Sequence, residues 1–141
     1  MANYISFIRT NYFTVNNESK LHEIISSCFA EDKIMIFKSE DKFGFGCRGS
    51  IYGISRDEND DCTEPDADGF HAALQEIIPE DDAIIITEIG YEKLRYFVAS
   101  SIIITKTQIR SVDLRDKALD IAREMLANQS FSTQMDYCRK T

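Results

Sequence analysis

The sequence predicts an α+β fold, a mostly antiparallel sheet with three helices on one face. Three observations predict it. Segments rich in β-branched and aromatic residues recur along the chain, as in "YISFIRTNYFTV" and "KIMIFKS". Three stretches between or after them carry apolar residues at helical spacing. The order that results is β-α-β-β-α-β followed by β-β-α, and its first six elements match a split βαβ arrangement.

The first strand is expected within 4–15, where Ile5 and Phe7 alternate with Ser6. The alternation breaks near Arg9 to Asn11, which suits a bend or bulge. Asn16 or Asn17 caps the first helix, expected at 17–30. Its apolar face is Leu21, Ile24, Ile25, Cys28 and Phe29, spaced i, i+3, i+4, i+7, i+8. A second strand follows at 33–39, and "DK" turns into a third, irregular strand at 43–54. Residues 55–68 form an acidic loop. Asp68 then caps a second helix, 68–78, whose face is Phe70, Ala73, Leu74, Ile77 and Ile78 and which Pro79 ends. "AIIIT" at 83–87 is almost wholly apolar and reads as a buried central strand. The spacing places a turn at Gly90 and one long strand at 93–105, bulged at Ser100 and Ser101. "KTQ" turns into a last strand at 109–112. Asp113 caps a final helix, 113–127, with Leu114, Ala118, Ile121, Ala122 and Met125 on one face. Asp113 and Lys117 are four apart in the favourable order.

A chain of 141 residues suits one domain, and 43% hydrophobic content supplies a core. The domain is expected over 1–128, with a polar, frayed tail at 129–141. No apolar run approaches the roughly 20 residues of a membrane span. The start "MANYISFIRTNYF" lacks the basic and apolar regions of a signal peptide, and "DYCRKT" is not a prenylation box. Cys28, Cys47, Cys62 and Cys138 are scattered, without the close pairs that zinc requires. The expectation is a cytoplasmic protein with reduced thiols and no metal or cofactor.

The net charge of −8 is unevenly spread. Residues 1–54 balance six acids with six bases, 55–92 hold thirteen acids and one base, and 93–141 hold five acids and nine bases. Such asymmetry speaks to partners. "DENDDCTEPDAD" at 57–68 holds seven carboxylates in twelve positions. The candidate partner-binding residues are Asp57, Glu58, Asp60, Asp61, Glu64, Asp66, Asp68, Glu76, Glu80, Asp81 and Asp82. With Glu88 and Glu92 they are expected to form one negative region. An EF-hand reading puts Asp57, Asn59, Asp61 and Asp68 at loop positions 1, 3, 5 and 12. It fails on Cys62, where the turn needs Gly, and on Asp68, where a bidentate Glu belongs.

"GFGCRG" satisfies G-x-G-x-x-G, but no helix follows, so the phosphate-binding context is missing. Period 2 instead puts Gly44 and Gly46 on one face of a strand and Phe43, Phe45 and Cys47 on the other. His22 and His71 lie off the apolar faces of their helices. The acidic balance argues against general nucleic-acid binding.

"TNYFTV", "FGFGC" and "EKLRYFV", in that order and spacing, resemble a group of small acidic proteins carried on conjugative and integrative elements of gut Firmicutes. The resemblance runs over about residues 3–126, and its motifs are structural. It implies an accessory protein of a bacterial mobile element, serving defence evasion, transfer or regulation. The expected function is a non-enzymatic interaction protein whose polyanionic surface docks on a basic protein surface. An inhibitor of a host nucleic-acid enzyme, of antirestriction or anti-CRISPR type, fits both charge and origin. The alternative is a small-ligand binder or enzyme using the Gly-lined sheet face around Gly44 and Gly46.

Overall fold

A computed structural model describes residues 4–55, 64–93 and 96–126. The elements are β1 (Ile5–Thr10), α1 (Glu18–Ser26), β2 (Cys28–Ala30), β3 (Met35–Ser39), β4 (Lys42–Arg48), β5 (Ile51–Ile54), α2 (Ala67–Ile77), β6 (Ile84–Glu92), β7 (Tyr96–Ile104), β8 (Ile109–Asp113) and α3 (Leu114–Met125). The fold is α+β. Six strands form one sheet in the order β3-β4-β1-β6-β7-β8, and every neighbouring pair is antiparallel. β2 and β5 pair separately as a short two-stranded sheet.

The cap residues follow the expected chemistry with one shift. The Asn17 side chain accepts from the Lys20 N–H, and Asp113 accepts from Arg115 and Asp116. Asp66, not Asp68, caps α2: its Oδ1 accepts from the Gly69 N–H at 2.9 Å. Asp66 also bridges to Ile54 through its backbone, so the chain is already fixed there and the helix starts early.

Four expectations give way to tertiary contacts. The first helix stops at Ser26, because Cys28 to Ala30 find strand partners in β5. The single strand expected at 43–54 is two, broken where Gly49 takes φ +95 and turns beside Glu31. No turn occurs at Gly90, which pairs with both Ser6 and Val98 inside β6. Its missing Cβ leaves room for the Tyr4 ring, and the reversal falls at Lys93, whose φ is +51. The β6–β7 register runs from Ile84↔Ile104 to Glu92↔Tyr96 without a shift, so Ser100 and Ser101 are not bulged.

One core holds the molecule together. Leu21, Ile24 and Ile25 of α1 and Phe70, Leu74 and Ile77 of α2 join Ile8, Phe43, Phe45, Ile84, Ile86 and Ile104 of the sheet. These strand residues share one side by the pairing register. Phe45 is central, edge-to-face on Phe13 at 6.3 Å and tilted against Phe70 at 6.1 Å. α3 contributes no buried residue.

Candidate functional site

Because strand side chains alternate, the same register that builds the core also builds the opposite face. Ile5 and Phe7 of β1 stand opposite Tyr91 and Ile89 of β6, which in turn stand opposite Phe97 and Ala99 of β7. Phe7, Ile89 and Phe97 remain 53%, 58% and 51% exposed. Ile5, Met35, Ile85, Tyr91 and Val112 are also exposed on this side. Together they spread over five strands, a patch larger than the isolated apolar residues of an ordinary surface.

The charges at the strand positions of this face have one sign, with Glu31 and Asp32 bordering it beside Phe7 and Arg48. Arg9 and Arg48 flank the patch on β1 and β4, Arg110 flanks it on β8, and Lys42 lies at its margin. No Asp or Glu occupies any described strand position on this side. Glu88, Glu92 and Asp113 belong by register to the covered side, where the Tyr4 hydroxyl donates to Glu88 at 2.9 Å.

The glycines shape one end of the patch. A Cβ at Gly46 would sit 3.0 Å from the Ile8 carbonyl and 3.4 Å from the Phe37 ring. One at Gly44 would sit 3.1 Å from the Asn11 carbonyl. The Phe37 ring occupies this space, and the Arg9 guanidinium stacks 4.6 Å from its centroid and 5.9 Å from that of Tyr12. The glycines thus serve close packing.

The acidic candidates fall elsewhere. Glu64, Asp66 and Asp68 are at the start of α2, and Glu76, Glu80, Asp81 and Asp82 at or beyond its end. An eleven-residue helix separates the groups by roughly 16 Å, about two Debye lengths at physiological salt. Asp57, Glu58, Asp60 and Asp61 lie outside the described residues, as do the loop of the EF-hand comparison up to Thr63 and the tail 129–141. Two of the candidates have structural work. Asp66 caps α2, and Asp82 accepts from the Thr14 N–H and hydroxyl at 2.8 and 2.9 Å and from the Ala83 N–H at 2.7 Å. Desolvation opposes the Asp82 charge, but these hydrogen bonds and the nearby Lys42 outweigh it and hold its pKa below the usual value.

The described thiols are held protonated. Burial pushes Cys28 up to about 12, and its Sγ donates to the Ile24 carbonyl at 3.4 Å. Burial also raises Cys47, whose Sγ donates to the Asp32 carbonyl at 3.3 Å. A thiol in this state is a poor nucleophile or metal ligand. Between α2 and the sheet a cavity of about 150 Å³ is lined by His71 from α2 and by Glu88 and Ser100 from the sheet. Burial lowers the His71 pKa, with Asp68 opposing. Among the described residues, no group of three or more His, Cys, Asp or Glu is arranged for a metal ion, and no helix is long and apolar enough to cross a membrane.

No known protein family, curated protein or solved structure matches this chain. The open face is absent from the sequence expectations, although "YISFIRT" and "IIITEIGYE" carry its signal: apolar residues at both parities of one strand. That pattern belongs to a strand with two apolar sides.

Proposed function

We propose that this chain is a non-enzymatic interaction protein that docks a partner protein on the open face of its sheet. One observation carries the reading. Half-exposed Ile5, Phe7, Ile89, Tyr91 and Phe97 form a contiguous apolar centre, rimmed by Arg9, Arg48 and Arg110, on a sheet whose other side is filled. An apolar centre with aromatic residues and a charged rim is the anatomy of a protein interface. The rim charge selects a partner surface carrying carboxylates around an apolar centre. The finer architecture belongs to the same proposal: a split βαβ unit of β1, α1, β3, β4, α2 and β6, with its helices on the far side. The sheet order, with β4 between β3 and β1, and the joint burial of α1 and α2 support it.

The test is affinity capture from the native host with quantitative mass spectrometry, comparing the wild-type chain with a Phe7→Ser, Ile89→Ser, Phe97→Ser variant. A protein retained by the wild type and lost by the triple variant supports the proposal. Retention of the same proteins by both overturns it, as does recovery of nucleic acid alone.

A second reading keeps the acidic surface as the docking element for a basic protein, as in an inhibitor of a nucleic-acid enzyme encoded by a mobile element. The exposure of Glu64, Asp68, Glu76, Glu80 and Asp81 supports it. Replacing Asp57, Asp60, Asp61, Glu64 and Asp66 by Asn or Gln should then slow association at low salt. An unchanged association rate would leave the segment as a solvated loop.

A further inference from the structure

Among the described residues, α3 presents a second apolar surface with no partner. At 100° per residue its apolar side chains span an arc of roughly 160°. Leu119 and Ala122, toward one side of that arc, are half-buried. The other side, Leu114, Ala118, Ile121 and Met125, is exposed, with Leu114 at 62% and Met125 at 77%. A twelve-residue helix is marginal by itself and depends on burying such a stripe. α3 grows directly out of edge strand β8, since Asp113 both ends the strand and caps the helix.

We propose that the α3 stripe is a homodimer interface in which two copies pack α3 antiparallel, stripe against stripe. Charge selects the occupant and its direction. Lys117 and Glu124 lie on the same flank of the stripe, and among the described residues neither has an ion-pair partner. A two-fold axis at the middle of the stripe sets Lys117 of one copy within about 3 Å, along the axis, of the level of Glu124 in the other. The pair forms twice by symmetry. A parallel two-fold would carry this flank to the opposite side of the seam and bring Lys117 to neither Lys117 nor Glu124 of the other copy. Area agrees with a second copy. The exposed parts of Leu114, Ile121 and Met125 amount to on the order of 350 Å² per copy. At about 60% apolar content this accounts for an interface of roughly 600 Å² per partner, at the lower end of the standard range.

Sedimentation equilibrium of the full chain from about 1 to 200 µM, a range that brackets a micromolar dimer, tests the proposal. The wild type is expected to dimerise in this range. Lys117→Glu and Glu124→Lys should each weaken the dimer at least about threefold, and the double exchange should restore it. Ile121→Asp should give a monomer. Circular dichroism and a thermal midpoint on each variant separate loss of association from loss of fold, and the double exchange decides the matter if Ile121→Asp unfolds. A wild-type monomer throughout, a dimer indifferent to the charge exchanges, or one abolished by Phe7→Ser and Ile89→Ser instead, overturns it. Because these variants change α3 and leave the sheet residues Phe7, Ile89 and Phe97 untouched, failure here leaves the partner-docking reading standing.

Discussion

On β6, Ile84 and Ile86 are buried under the helices, while Ile85 and Ile89 of the same strand face outward beside Tyr91. The two sides of the sheet carry similar side chains and meet different fates. α1 and α2 supply six buried residues to the inner side. The outer side receives aromatic and aliphatic residues, arginines and, at its described strand positions, no carboxylate. The contrast teaches that hydrophobic content does not define a core. A core needs a second layer, and this chain has residues for two covered faces, while among the described residues a core layer lies on one.

The comparison breaks most sharply at the phenylalanines. Phe45→Ala removes a fully buried ring that packs on Phe13 and Phe70, and should cost about 3–5 kcal/mol in urea denaturation. Gly46→Val tests one end of the open patch. Its side chain must displace Phe37 or push β1 away, so a loss of about 1–3 kcal/mol is expected. If Gly46→Val were neutral, the close packing described for Gly46 would be wrong.

Asp82→Ala comes next, at roughly 1 kcal/mol near neutral pH, because it strands the Thr14 and Ala83 N–H groups in a partly exposed site. The sign of its pH dependence follows from the lowered pKa. The folded state binds the Asp82 proton less tightly than the unfolded chain, so its contribution is present above the ordinary value near 3.8 and disappears as pH falls through the folded value. Stabilities of wild type and Asp82→Asn should therefore converge at low pH. His71 is also depressed by burial, so the cost of protonating it in the folded state appears as pH falls below its ordinary value of 6.5. The stability–pH profile of His71→Gln should be flatter than that of the wild type there.

Phe97→Ser should have the smallest effect, within about 0.5 kcal/mol, since half the residue is already in water. A loss comparable to that of Phe45→Ala would show the outer face to be covered in solution, which measurement at several protein concentrations would trace to association.

Much of the fold is legible from local patterns. The helices around Leu21, Leu74 and Ala118 can be read because apolar residues three and four apart line one face of a helix and scatter over both faces of a strand. Asp113 can be read as a cap, and the first cap narrowed to Asn16 or Asn17, because capping chemistry is local. Cys28 and Phe29 continue the helical spacing of α1, yet the folded chain gives them to β5, a strand far along the sequence that competes for them only once the chain has folded. Gly90 looks like a turn for the same kind of reason: its role depends on the Tyr4 ring, which no local window contains. The acidic candidates are visible as composition, yet their separation along α2 is a property of position. The open face needs the register of five strands at once, and no single strand shows which of its two apolar sides is left uncovered.

The sequence by itself determined the α+β class, the three helical segments, the Asp113 cap and the uneven charge, because each follows from periodicity or composition within a short window. Tertiary structure alone decided which parity of each strand is covered. Ile8 and Phe7 are adjacent, both apolar and on the same strand, and only the docking of α1 and α2 buries one and leaves the other in water.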